Sequence, residues 1–589
     1  MKKSNEGAKR RNLVAGSFLV TAAFYFVFSI TGYLYVYSDN LTVAVVTGGM
    51  YSNNNYCQYV HPLTCILIKI ISPLIPSADM FATSVHILLF LAMMSLSYLL
   101  LEYQFKKQIG KKNINEYIEL TLCILFYTFL ILGQNIWGAN YTVQTAVLAF
   151  AGMIILFADN LCVDSNKWIL IGTIFIAAAF MLRMEGALLF LPFAALEIIR
   201  KIIAVKGEKK KILKRILPAT IIVTALILSK QLFISQEPYA SDTKYTESRT
   251  IVQDYPMTIE FPWWIDSDRL DKSTYAVIQD WILADTDRIT AETLDEAAKI
   301  GSHDAFQYNK EGLQQAFHAI YERVMKMDVH LTVFAVTTLL LGAGIIIFAK
   351  SKWLKVEAFF ALSGGVIILL FYTFKGRALI RVWQCVLLAV CSTLILIYFS
   401  SPNDINGNEK IIINGKSNGR RYNISLELYK LILCIILYFG VGQVIAHASV
   451  HKPITPLLSK VNADDSVYEI TFEEDALYLW PNWYDAIPEY FQTINKLPTQ
   501  RVLNHNVPLG DWTYGQQYFR DFLKNINAEN PALALLERPN TYLVEGMENV
   551  LLTYMQDHYG EDIVLEEVGE LMDRKVFRMK HSGITGEVE

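Results

Sequence analysis

Apolar runs that can cross a lipid bilayer recur along this chain, and no other property limits its fold as severely. They fall near residues 13–36, 79–101, 118–135, 141–158, 168–182, 186–199, 214–234, 330–349, 354–374, 378–399 and 429–447, about eleven in all. A helix needs ~20 mostly apolar residues to span the hydrocarbon core. Without water there, every backbone N–H and C=O must be paired within the segment, which favours helices. Hydrophobic residues make up 53% of the 589 and charged residues 18%, and the mean hydropathy is +0.30. A soluble chain of this length would not carry so many apolar runs. The expected fold is an α-helical polytopic membrane protein.

Basic residues give the runs a direction. Lys2, Lys3, Lys9, Arg10 and Arg11 precede the first span, and Lys106, Lys107, Lys111 and Lys112 follow the second. The pattern returns at Arg200, Lys201, Lys206 and Lys209 to Lys211, at Lys350, Lys352 and Lys355, and at Lys410, Lys416, Arg420 and Arg421. Every second loop is basic, which places those loops and the N-terminus in the cytoplasm. The first apolar run is too long for a signal peptide. Residues 168–199 read as a hairpin turning at Arg183-Met184-Glu185-Gly186, because a single span would push the next basic block outside.

This topology gives a membrane domain, 1–449, with an outer loop at 37–78 and an outer insertion at 235–329. Residues 450–589 form a C-terminal extracytoplasmic α/β domain. Strands are expected at 476–480, 541–544, 563–567 and 575–579, with helices at 486–495 and 548–559. The formal net charge of -4 is close to neutral and nothing points to nucleic acid. Seven cysteines without CxxC or Cys/His ligand spacing indicate neither a zinc site nor a disulfide framework.

The first outer loop carries an acid, Asp39, where the first span ends. It continues through a polar patch to His61-Pro62 and an apolar run, Leu63 to Ile75, too short to span and suited to an interfacial or re-entrant helix. Ionisable residues at span ends point to function. They are Arg183 and Glu185 in one outer turn and Lys375, Arg377 and Arg381 in another, the last two four apart and on one face if helical. Guanidinium forks match phosphate oxygens. A further outer turn adds Gln134, Asn135, Trp137, Asn140, Tyr141 and Gln144, the amides and aromatics that sugar-binding surfaces use.

Each residue also has a structural explanation. Asp39 can cap a helix, Arg183 and Glu185 can pair, the arginines can snorkel, the amides can bond between helices, and His61 can be interfacial. Asp266-Ser267-Asp268 and Asp285-Thr286-Asp287 look like the DxD of metal-dependent sugar transferases, yet short acidic triplets are common, and a metal is not favoured.

With Asp39 after the first span, a short surface helix, arginines at two later outer turns and a C-terminal outer domain, the chain resembles the GT-C superfamily of integral-membrane glycosyltransferases. Its last segment, with Asn530-Pro531, Asn540-Thr541-Tyr542-Leu543-Val544 and Tyr554-Met555-Gln556-Asp557-His558-Tyr559-Gly560, is similar to that of uncharacterised multi-pass membrane proteins of Gram-positive bacteria. The resemblance implies an inverting transfer of sugar from a polyprenyl-phosphate donor to an extracytoplasmic glycan or other hydroxyl-bearing envelope polymer. It also implies Asp39 as base, with Arg377, Arg381, Arg183 and Lys375 at the donor phosphate and Glu185, His61, Asn135, Trp137, Asn140 and Tyr141 around the substrate. No cofactor is expected. The competing functions are a transporter or flippase for lipid-linked sugars, which predicts repeats and broken helices not evident here, and a receptor or scaffold.

Overall fold

A computed structural model describes residues 11–23, 25, 35–36, 38–51, 56–75, 78–107, 138–158, 166–204, 209–257, 269–301, 303–325, 329–349, 351–398, 475–482, 486 and 497–583. The spans expected at 118–135 and 429–447 lie outside these residues. Helix α1 covers 11–23. It is followed by β1 (Tyr35–Val36), α2 (Ser38–Thr47), α3 (Pro62–Ile71), α4 (Met80–Lys107), β2 (Gly138–Ala139), α5 (Tyr141–Phe157), α6 (Asn166–Leu182), α7 (Met184–Leu188), α8 (Leu191–Ala204) and α9 (Lys209–Ile234). The polar insertion contributes α10 (Tyr239–Asp254), α11 (Lys272–Gln279), α12 (Ala291–Gly301) and α13 (Lys310–Met325), and the bundle resumes with α14 (Val329–Phe348), α15 (Lys352–Phe374) and α16 (Ile380–Tyr398). Within α4, α9, α14, α15 and α16 lie five segments long and apolar enough to cross a membrane, and the chain is a membrane protein.

The centre of the bundle is α5, in which every residue is buried. Its small residues let neighbours approach closely, as TM packing requires. Gly172 of α6 packs on Ile155 and Leu156 of α5, and Arg183, just beyond α6, reaches Tyr141 and Thr142, so α6 runs antiparallel to α5. Gly186 then sits on Thr142 and Thr145, while Lys201, far along α8, donates to the Phe157 carbonyl at 2.6 Å. The chain therefore reverses at Arg183, whose backbone is extended, and the expected hairpin is present. The end of the bundle marked by Tyr141 and Arg183 is called upper below, and the end marked by Phe157 and Lys201 lower.

At the upper end α3 leaves Leu63, Ile66, Leu67 and Ile70 exposed and buries Thr64, Cys65 and Ile68. One bare apolar face and one packed face suit a helix lying along a lipid boundary. Residues 38–47, expected as plain loop, are helical, with Leu41 and Val43 to Val46 buried. Cys57 and Cys65 are free thiols.

The C-terminal domain is a five-stranded sheet in the order β4-β3-β5-β7-β6. Its elements are β3 (Leu477–Trp480), α17 (Gln500–His505), β4 (Asn506–Pro508), α18 (Gln517–Asn525), α19 (Pro531–Glu537), β5 (Thr541–Val544), α20 (Glu548–Tyr559), β6 (Ile563–Leu571) and β7 (Arg574–His581). Strands β3 and β5 are parallel and buried throughout, as a continuous apolar run demands. The four expected strands are present; β4 and α17 to α19 were not anticipated.

This domain is clamped to the insertion. Leu283 N–H donates to the Leu509 carbonyl at 2.8 Å, and a Cβ on Gly510 would overlap the Trp281 carbonyl oxygen, so only glycine permits that approach. Buried Asp285 accepts from Asn530 at 2.8 Å and from the Tyr554 and Tyr559 hydroxyls at 2.6 Å each. Burial and this carboxylate both push the two phenols up, keeping them protonated as donors. An unsatisfied buried donor costs about 1–3 kcal/mol. Asp285→Ala is therefore expected to weaken docking by about 3 kcal/mol or more, read as faster limited proteolysis of the C-terminal domain in the purified full chain. Wild-type resistance would show that Asp285 does not hold the interface.

A second contact is pH-dependent. His558 Nε2 lies 3.2 Å from Asp271 Oδ2 and 3.1 Å from the Thr274 hydroxyl. Burial, outweighing the pull of Asp271, holds the ring below its ordinary value of 6.5. Asp271 is itself held low: its own burial opposes this, but the Thr274 N–H, His558 and two hydroxyls outweigh it. Below 6.5 the unfolded histidine binds a proton that the folded one refuses, so stability falls as pH drops through that window. Acidification from pH 7 to 5 is expected to raise protease sensitivity at this interface in wild type and to do so less in His558→Gln; equal pH slopes would remove the assignment.

Candidate functional site

Strands β1 and β2 pair in parallel, Tyr35 with Gly138 and Val36 with Ala139. Each feeds a helix within two residues, α2 at Ser38 and α5 at Tyr141. Two helix starts are thereby set side by side, and their unpaired N–H groups and positive dipole ends favour negative charge. Asp39 lies in the first turn of α2; its side chain, with Asn135 and Trp137, is outside the described residues. Asn140 caps α5 by accepting from Thr142 N–H at 2.9 Å, while its own amide nitrogen is buried without an acceptor among the described residues. Helix α16 also starts here, since the Cys385 thiol donates to the Thr142 carbonyl at 3.6 Å.

Arg183 donates to the Tyr141 hydroxyl at 3.0 Å and the Thr142 hydroxyl at 2.7 Å. Its guanidinium lies over the rings of Tyr59 and Tyr141, 5.3 and 5.0 Å from their centroids. These contacts fix its position. Glu185, half-exposed, is 3.8 Å away. Arg183 and Arg381 both act electrostatically on Cys385, and Arg377, Cys385 and Glu185 all act on Tyr372.

The other two cations are tied down by the insertion. Lys375 pairs with Asp304 and Arg377 with Asp254, each at 2.7 Å. The expectation that Arg377 and Arg381 stack on one helix face is corrected. Gly376 adopts a left-handed φ of 71°, which ends α15, and α16 begins only at Ile380. Arg377 therefore sits in the turn, against Tyr255. His61 caps α3, accepting from Leu63 N–H at 3.1 Å, and its Nε2 is 2.9 Å from the Leu226 carbonyl, so one ring nitrogen caps α3 and the other joins it to α9.

Several residues at the site carry no sequence signal. Arg249, buried in the polar helix α10, donates to the Tyr59 hydroxyl at 2.6 Å. Burial works against its charge, but Tyr59, Asp254, Tyr245 and Asp511 outweigh it and hold its pKa above the ordinary value. Asp511 of the C-terminal domain accepts from the Thr42 hydroxyl at 3.4 Å, and position 42 lies three residues, one helical turn, from Asp39. Trp512 packs edge-on against Tyr59, 4.9 Å between ring centroids. Gln516 bonds Gln58 at 3.1 Å and Thr246 at 2.7 Å. The C-terminal domain is therefore a wall of the site. Asp285-Thr286-Asp287 is filled by protein donors, as Asn530 bonds both carboxylates at 2.8 Å. Among the described residues no group of three or more His, Cys, Asp or Glu is arranged to hold a metal ion.

Compared with known protein families, with curated proteins and with solved structures, the chain matches none.

Proposed function

We propose that the chain is a membrane glycosyltransferase that moves a sugar from a polyprenyl-phosphate donor to a hydroxyl of an extracytoplasmic glycan or envelope polymer. One observation carries this. Arg183 bonds the Thr142 hydroxyl at the start of α5, Arg183 and Arg381 both act electrostatically on Cys385 near the start of α16, and the buried amide nitrogen of Asn140 has no acceptor among the described residues. Guanidiniums, helix starts and a spare amide donor at the upper end of the bundle form a receptor for a phosphate whose lipid tail stays in the membrane.

In the proposed step the acceptor oxygen attacks the anomeric carbon and its proton passes to Asp39. The carbon–oxygen bond to phosphate breaks, its electrons remain on the phosphate oxygen, and the anomeric configuration inverts. Arg183 and Arg381 stabilise the charge that grows on the leaving phosphate, an electrostatic contribution worth several kcal/mol in a preorganised site. Glu185, Tyr141 and the aromatics Tyr59 and Trp512 line the sugar side. Arg377 and Lys375 act at the rim, where their acidic partners fasten the insertion.

Purified protein incubated with polyprenyl-phosphate sugars is expected to release polyprenyl phosphate. Headgroup translocation across a vesicle membrane with the glycosidic bond intact would replace the enzyme by a flippase using the same cations.

A further inference from the structure

We propose that α13, in the polar insertion, is a membrane-surface helix whose apolar stripe is immersed among the acyl chains of the leaflet at the upper end, whatever reaction the site performs. Both ends of α13 are held at one height. Just before its first turn, Ala305 N–H donates to the Phe374 carbonyl at 2.7 Å, and the Tyr308 ring stacks on that of Phe374, 5.0 Å between centroids. In its last turn, Arg323 donates to the Ala378 carbonyl at 3.3 Å. Phe374 closes the membrane-crossing helix α15, and Ala378 lies in the turn that follows. A helix of 16 residues is ~24 Å long, too long to stand upright with both ends there, so α13 lies across the top of the bundle. Its end at Met325 leads into α14, which starts at Val329 and crosses the membrane.

The circumference of α13 divides in three. Leu313, Phe317 and Tyr321 stand four residues apart, on one face, and are 42%, 48% and 57% exposed. Gly312 and Ala316 are buried on a second side, and α13 packs on α15. Glu311, Gln315 and His318 are exposed on the third side, on the order of 130° round the helix from the apolar stripe. This division selects the occupant. A helix lying at the ends of membrane spans meets acyl chains beneath it, protein beside it and water above it, and sorts its residues accordingly. The stripe also continues a surface that already faces lipid, because Ile367 and Phe371 are exposed on α15 within two turns beneath Phe374. Nothing in the stripe discriminates between headgroups. Its role is to fasten the insertion to the bilayer beside the turn that carries Lys375 and Arg377.

The test reconstitutes the full-length chain in dioleoyl-phosphatidylcholine vesicles containing a phosphatidylcholine with a diazirine on one acyl chain. After irradiation, carbene adducts are located by peptide mass spectrometry. Adducts are expected at Leu313, Phe317 and Tyr321, as at Ile367 and Phe371, and not at Glu311, Gln315 or His318. Phe317→Glu, a change at an exposed position, is expected to cut the yield on α13 several-fold while the yield on Ile367 and Phe371 holds. His318→Glu, on the watery side, is expected to change neither. If Phe317→Glu lowers the thermal midpoint in detergent, the wild-type pattern decides alone. A bare stripe in a sample whose Ile367 and Phe371 are labelled would overturn the proposal. Equal labelling of the stripe and the polar side would do the same, and so would a bare stripe accompanied by a dimer in native mass spectrometry, which would give the surface to a second copy.

Discussion

Arg200→Ala is expected to destabilise the helix bundle by about 3–5 kcal/mol, the loss that follows when one partner is taken from a buried ion pair. Arg200 Nη2 lies 2.5 Å from Glu197 Oε1 and its Nε 2.8 Å from Glu357 Oε2, all three side chains being 5% exposed or less. Lys201 adds a second cation 3.6 Å from Glu197, although its ammonium also caps the Phe157 carbonyl. Two glutamates and two cations thus join α8 to α15. Without Arg200, buried Glu197 and Glu357 lose the guanidinium that bridges them. The loss reads out as a lower thermal midpoint and a smaller yield of monodisperse protein. Glu357→Gln in the Arg200→Ala background removes the acid left facing Glu197 without its guanidinium and is expected to recover at least half of it. An Arg200→Ala protein that melts with wild type would mean the cluster does not hold these helices together.

Loss of transfer activity is the second large effect. Asp39→Asn is expected to lower kcat by about 10²–10⁴, the usual contribution of a positioned general base. Arg381→Ala is expected to lower it by about 10²–10³, as removing one preorganised charge donor does. Arg377→Ala separates a chemical from a structural role for these cations. Arg377 is bound to Asp254, so its loss loosens the insertion and is expected to raise KM while kcat falls less than tenfold. Initial rates at saturating donor, on variants with wild-type melting curves, decide the matter. Undiminished transfer in Asp39→Asn and Arg381→Ala would end the proposed mechanism.

Some of this was legible residue by residue. The apolar runs at 79–101, 214–234, 330–349, 354–374 and 378–399 appear as the five long helices, because the length of an uninterrupted apolar stretch is a local quantity. The surface run between Pro62 and Ile75 was legible for the same reason, and so were β3, β5, β6 and β7, whose side chains suit strands. Helix α2 was not. Its sequence, Ser-Asp-Asn-Leu-Thr-Val-Ala-Val-Val-Thr, is rich in β-branched and polar residues of modest helix propensity, and burial of Leu41 and Val43 to Val46 overrides that weak preference. The stacked pair imagined for Arg377 and Arg381 failed because Gly376 breaks the helix one residue earlier.

The charges divide in the same way. Their sign and spacing along the chain suffice to predict where helices turn, since Arg183 needs only its neighbours to mark a break. Which carboxylate meets which cation could not be read there. Asp254 and Arg377 are 123 residues apart, Asp511 and Thr42 are 469 apart, and Asp285 and Asn530 are 245 apart. A contact of that kind depends on a separation of a few ångströms, because the interaction weakens with distance and is screened wherever water enters. Packing of the insertion and the C-terminal domain onto the bundle sets those separations, and with them which carboxylate meets Arg377 and Lys375.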